Sequence, residues 1–160
     1  MDEQNIKELL KETTEVIFDS MVFIKVKGVE PESGTGKIPT QLTAMVGFAG
    51  AYMGLAAIHV RNSFAKKIAS AMTGIEAEKL TSEDVRDALG EIANMIAGRF
   101  KSQLSLKLNL RDQVFEQSVP SVISGEDFET HAVTDAPSYM VAFNADSEIF
   151  YVEMAMKAVM

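Results

Sequence analysis

The sequence predicts an α+β domain in which a mainly antiparallel sheet carries long helices on one face. Its patterns follow the order helix, three strands, short helix, long helix and three strands. Strands that come in consecutive blocks favour antiparallel pairing, because short turns can join them directly. The two halves of this order are weakly similar to each other, which indicates an internal duplication.

Length and composition indicate one domain, residues 1–160, with enough apolar content for a real core. No run of about 18 apolar residues occurs, so no membrane insertion is expected. The acidic N-terminus lacks the features of a signal peptide. The chain has no cysteine, which excludes disulfides and fits a cytoplasmic protein. Its net charge of −8 argues against nucleic acid as a partner.

Periodicity gives the elements of the first half. A helix is predicted at 5–21, a half-buried strand at 22–29, a loop at 31–36, a hairpin at 41–48 and 52–60, and a short helix at 63–72 that ends at Gly74. In the second half, a long helix is predicted at 81–100, strand at 113–122 with a bend at Pro120, a polar loop at 125–137, and strands at 139–143 and 148–156. The end of the long helix stays open, because Leu104 to Leu110 also show a period of two.

The long helix has a clear start and a clear apolar side. Thr81 is its predicted N-cap, and Asp84 completes a capping box. The buried stripe should consist of Val85, Ala88, Leu89, Ile92, Met95, Ile96 and Phe100.

The opposite side of this helix carries Asp87, Glu91, Asn94 and Gly98, which fall within about 60° of one another at 100° per residue. Glu91 and Asn94 are three residues apart, so their side chains lie next to each other. Gly90 and Gly98 offer little steric cover, which would let another surface approach. The same pattern is also typical of a solvated polar face, so the arrangement alone does not name a function.

The segment ALGEIANMIAG resembles the signature of the CheC/CheX family of chemotaxis phosphatases. That signature has Asp or Ser, three residues, Glu, two residues and Asn, and Asp87, Glu91 and Asn94 match it. The family's proline follows some two dozen residues later, and the candidate here, Pro120, lies slightly beyond that spacing. The run PSVISGED also resembles the family. The resemblance implies an internally duplicated α/β sandwich with a CheC-like fold.

The resemblance further implies that the substrate is a CheY-like response regulator carrying an aspartyl phosphate. Asn94 would orient the attacking water, and Glu91 would dock to the regulator's lysine. Asp87, Gly98 and Pro120 are the further candidates for partner contact. The alternatives are simple solvation for Asp87 and, for Pro120, a structural role in shaping the neighbouring strand, which is the preferred interpretation. The regulator would supply Mg²⁺, and the chain would need no cofactor of its own. His59 and His131 have no second ligand at helical spacing, so no metal site is predicted.

Laying the first helix on the long helix places Glu12 opposite Glu91 and Glu15 opposite Asn94. The first half has no amide at this position, so the resemblance implies one active centre, as in CheX, and not two, as in CheC. The alternative function is a non-catalytic adaptor for a response regulator or for a receptor or flagellar-switch complex. CheX-type proteins pair through sheet edges, so a homodimer that uses the predicted strand at 22–29 is also expected.

Overall fold

A computed structural model of the chain describes residues 1–29, 40–110, 115–128 and 135–159. In these residues three helices cover one face of a seven-stranded antiparallel sheet. The helices are α1 (Glu3–Ile17), α2 (Asn62–Thr73) and α3 (Ser82–Lys107). The strands are β1 (Lys27–Val29), β2 (Thr40–Ala49), β3 (Tyr52–Val60), β4 (Glu116–Gln117), β5 (Ser121–Phe128), β6 (Ser138–Ala145) and β7 (Glu148–Ala158).

The strand order reflects a duplicated unit. The order is β1-β6-β7-β3-β2-β4, and β5 also pairs with β2. Strand β1 of the first half pairs with β6 of the second half, β5 of the second half pairs with β2 of the first half, and β3 and β7 pair at the centre. This arrangement confirms the predicted fold class.

The core lies between the sheet and the helices, and an aromatic cluster joins four of its elements. The Phe150 ring on β7 lies 5.1 Å from Phe18 after α1, 4.8 Å from Phe64 on α2 and 5.2 Å from Phe143 on β6. All four rings are fully buried. Among the described residues, no helix has the length and hydropathy needed to cross a membrane.

Helix α3 begins and packs as predicted. Thr81 Oγ1 accepts a hydrogen bond from the Asp84 backbone N–H, and Asp84 Oδ2 accepts one from the Thr81 N–H. These bonds to Thr81 lower the pKa of the Asp84 carboxyl. The predicted stripe is buried, with Met95 half-buried. The helix ends at Lys107, with Leu104 buried and Leu106 exposed, so the period of two in this region does not mark a strand.

The strand predicted at 22–29 is mostly wrong. A π-helical turn at Phe18–Val22 continues α1, and Phe23 follows in the left-handed conformation with φ 60°. Strand β1 covers only Lys27–Val29. The alternation in the sequence is real, since Val22 and Val26 are buried, but pairing with β6 begins only at Lys27.

Two predictions around Pro120 need correction. The strand predicted at 113–122 is divided into β4 and β5 by a bend at residues 118–120, and residues 113 and 114 lie outside the described part. The loop predicted at 125–137 is wrong at its start, because β5 continues to Phe128 along β2. Its polar side chains suggested a loop, whereas backbone pairing at a sheet edge produces a strand. The predicted loop at 31–36 and the later loop's residues 129–134 are also outside the described residues.

Candidate functional site

The structure brings the predicted site residues together on one side of α3. Asp87 and Glu91 are exposed, while Asn94 and Gly98 are half-buried. The opposite, apolar stripe is buried against the sheet and the other helices, so the side with the predicted site residues faces the solvent. The helix geometry therefore places a carboxylate and a carboxamide side by side at the surface, as the spacing predicts.

A shallow groove of about 480 Å³ runs beside this side of the helix. Its lining consists of Arg86, Asp87, Gly90, Glu91, Pro120 and Val122. The groove lies where the bend between β4 and β5 meets α3. Pro120 thus reaches the predicted site in space, although it is distant from the helix in sequence.

Gly90 does not present an open surface to a partner, contrary to the expectation. It is buried, and a Cβ placed on it would lie 3.3 Å from Pro120 Cβ and 3.7 Å from Val122 Cγ2. The chain's own bend therefore covers this glycine. The absent side chain allows Pro120 to pack closely on α3.

Asn94 contacts a residue that the sequence did not single out. Gln117 Nε2 donates hydrogen bonds to the Asn94 backbone oxygen, at 3.0 Å, and to Asn94 Oδ1. Gln117 belongs to the two-residue strand β4 and is half-buried. Its only signal in the sequence is its place in the strand predicted beside the helix, because the family signature does not include it.

The carboxylates of the site are available for an incoming group. Among the residues that the structure describes, neither Asp87 nor Glu91 forms an ion pair within the chain. Both line the groove together with Arg86. A cation that enters the groove would meet two acidic groups one helical turn apart.

The corresponding surface of the first half differs. Glu12 is exposed, whereas Glu15 Oε1 accepts a hydrogen bond from the Gly28 backbone N–H at 3.2 Å. The residue aligned with Asn94 is therefore a carboxylate that is bonded to β1. The single active centre stays a prediction, supported by the absence of a carboxamide at this position.

His59 has structural partners. It is buried on β3, where its Nδ1 lies 2.9 Å from Thr43 Oγ1 and its Nε2 lies 3.1 Å from Glu153 Oε1. Within the described ranges, no three His, Asp or Glu side chains are grouped closely enough to hold a metal ion. His131 lies outside these ranges.

Comparison with known proteins places the chain in a family. The family model described as chemotaxis phosphatase CheX matches residues 42–144, which include the whole candidate site. The chain belongs to the CheX family. The CheY-P phosphatase CheX of Thermotoga maritima is 29% identical over 135 residues, which are 81% of each chain. This finding confirms the resemblance seen in the signature.

Solved structures of CheX proteins share the fold. A chemotaxis protein CheX from Desulfovibrio desulfuricans has a TM-score of 0.81 and 24% identity, with 96% of this chain and 99% of that chain covered. The CheX-CheY-BeF₃-Mg²⁺ complex from Borrelia burgdorferi has a TM-score of 0.73 and 22% identity, with 98% of each chain covered. The chain therefore aligns with these folds over almost its full length.

The contact between Gly90 and Pro120 predicts an energetic coupling. Gly90→Ala gains helix propensity worth about 1 kcal/mol, but the added Cβ meets Pro120. Pro120→Gly removes this contact. Gly90→Ala should therefore raise the free energy of unfolding when Pro120→Gly is also present, and should raise it less, or lower it, when Pro120 is retained. Urea unfolding of the four proteins measures the coupling, for which we expect at least about 0.5 kcal/mol. Additive effects would mean that the bend moves aside without cost.

Proposed function

We propose that this chain is a phosphatase that accelerates hydrolysis of the aspartyl phosphate of a CheY-like response regulator. The observation that carries the proposal is the exposed Glu91 and half-buried Asn94 on one turn of α3, in a member of the CheX family. The Thermotoga relative is named a CheY-P phosphatase, and the Borrelia structure contains CheX together with CheY. If a CheY-like regulator is the substrate, we expect this protein to act in the cytoplasm.

Asn94 is the residue proposed to act on the water. Hydrolysis of an acyl phosphate requires a water in line with the phosphorus, so a partner protein contributes mainly by positioning. A carboxamide has both a donor and an acceptor and does not titrate. It can therefore hold a water next to a phosphoryl group without adding negative charge.

Glu91 is the residue proposed to dock. A carboxylate close to a phosphoryl group is unfavourable unless a cation lies between them, and the active-site lysine of the regulator would be that cation. The resulting charge-assisted hydrogen bond would set the register of the complex. Among the described residues Glu91 has no competing ion pair.

Asp87, Gly98 and Pro120 are proposed as flanking contacts for the regulator. Asp87 and Pro120 line the same groove as Glu91, and Gly98 lies one turn beyond Asn94 on the same side of α3. Pro120 also has a structural role through its packing on Gly90. We further propose that the regulator brings the Mg²⁺ that the reaction needs, as the Borrelia complex contains Mg²⁺ and BeF₃.

The second candidate function is an adaptor that binds a regulator or a receptor or flagellar-switch complex without turnover. An adaptor has no need of a carboxamide beside its docking carboxylate. Measurable binding of phosphorylated and unphosphorylated regulators with equal affinity, and with no change in phosphate lifetime, would favour this function over the phosphatase.

Asn94→Ala should abolish the stimulated hydrolysis, with a loss of at least about 100-fold, because it removes both hydrogen-bonding groups. Phosphate loss from each CheY-like regulator of the source organism, phosphorylated with phosphoramidate in the presence of Mg²⁺, measures the rate. Asn144→Ala on β6 is the matched control, since Asn144 is an exposed asparagine of the opposite half of the sheet. Full activity of Asn94→Ala would contradict the mechanism.

Glu91→Lys should weaken binding to a beryllofluoride-activated regulator by at least about tenfold, because two like charges would then meet at the docking site. Glu12→Lys on α1 is the control, as it makes the same change of charge at the exposed position aligned with Glu91. Titration calorimetry measures both affinities. Equal effects of the two changes would indicate a general electrostatic contribution instead of a docking contact.

We also propose that the chain forms a homodimer through its sheet edges. Strand β1 ends the sheet order, although it has only three residues and its Gly28 N–H is bonded to Glu15. Sedimentation velocity over a wide concentration range should show a monomer–dimer equilibrium. A single monomeric species at the highest concentration would remove this proposal.

A further inference from the structure

We infer that Gln117 is a positioning residue that fixes the orientation of the Asn94 carboxamide for hydrolysis. This inference rests on the proposed phosphatase function. Its basis is the pair of hydrogen bonds that Gln117 Nε2 donates to the backbone oxygen and the side-chain oxygen of Asn94. The family signature covers residues on α3 and the proline, whereas Gln117 lies on β4.

The backbone oxygen of Asn94 determines the orientation of the side-chain amides of Gln117 and Asn94. A backbone carbonyl oxygen can only accept, so the group of Gln117 that faces it at 3.0 Å must be the Nε2 amide nitrogen. The same nitrogen contacts the side chain of Asn94. Asn94 must therefore turn Oδ1 toward Gln117, and its Nδ2 points away from Gln117.

The sheet holds Gln117 in place. Gln117 pairs with Phe48 of β2. The next residue, Ser118, donates its backbone N–H to Gly47 O at 2.8 Å and accepts the Gly47 N–H on its Oγ at 2.9 Å. The backbone that carries Gln117 is thus bonded to β2, and this pairing sets its position relative to α3.

Gly98 lies next to the Gln117 amide. A Cβ on Gly98 would lie 3.8 Å from Gln117 Oε1, which is ordinary van der Waals contact. An alanine at this position would therefore fit beside Gln117 without displacing it.

The contact leaves Asn94 with the groups that the reaction requires. Gln117 occupies one lone pair of Oδ1. With respect to the residues that the structure describes, the second lone pair and both Nδ2 hydrogens stay available for a water and for phosphoryl oxygens. A free asparagine amide can rotate and exchange its donor and acceptor. With Gln117 in place, this rotation is restricted before the regulator binds, so the complex does not have to supply the ordering free energy.

Two variants with opposite hydrogen-bonding properties test the inference. Gln117→Met has similar length and no donor, and Gln117→Glu has nearly the same shape but can donate only when it is protonated. Both should lower kcat of the stimulated hydrolysis by at least about tenfold, with KM for the phosphorylated regulator changed less than about twofold. Glu116→Gln, on the adjacent exposed residue of β4, is the control and should retain the unmodified rate.

The pH dependence separates positioning from a merely structural role. For Gln117→Glu, the rate relative to the unmodified chain should rise as the pH falls toward the pKa of the introduced carboxyl, because its protonated form can again donate to Asn94. The relative rate of Gln117→Met should stay constant over the same range. Parallel profiles of the two variants would overturn the inference.

NMR of the Asn94 side-chain amide tests the inference without an activity assay. The side-chain NH₂ resonances of Asn94, identified by their loss in Asn94→Asp, should shift in Gln117→Met and stay in place in Glu116→Gln. Unchanged resonances in Gln117→Met would overturn the inference.

The inference and the proposed function fail in different ways. Hydrolysis that needs Asn94 but survives both Gln117 changes would overturn the positioning role alone. A chain that stimulates no regulator would overturn the proposed function and this role with it. Thermal unfolding of each variant shows whether a loss of rate reflects a loss of fold.

Discussion

The packing of α3 against the sheet determines where the site can be. Its apolar stripe is buried on β2, β3 and the other two helices, so rotation of the helix about its axis is not free. The side that carries Glu91 and Asn94 must then face outward next to the edge of the sheet that β4 and β5 form. The position of the two functional groups is therefore a consequence of hydrophobic burial on the opposite side of the same helix.

The second constraint is the bend between β4 and β5. The strand next to β2 is interrupted where Pro120 packs on Gly90, and this contact brings one wall of the groove to α3. The same interruption places Gln117 beside Asn94. A helix alone would present a carboxylate and an amide to solvent, whereas the helix and the bend together form a groove at Glu91 and a hydrogen bond from Gln117 to Asn94.

The comparison of the two halves shows how a duplicated fold can carry different surfaces. Both halves contribute a long helix and a first strand that pairs with the other half. In the first half the helix bonds to its strand through Glu15 and Gly28, and in the second half through Asn94 and Gln117. We attribute the proposed single active centre to this exchange of a carboxylate for an amide.

Periodicity, capping and local turns are enough to predict the fold class, the central hairpin and the start of α3, whereas the end of α3 at Lys107 is left open by the sequence. It also determined which side of α3 is polar, and the signature led to the family that the comparison confirmed. It did not predict the π-helical turn after α1 or the continuation of β5, since both depend on long-range packing and backbone pairing. The contacts of Pro120 with Gly90 and of Gln117 with Asn94 could not be predicted from the sequence, because each joins residues whose proximity depends on how β4 and β5 align along β2.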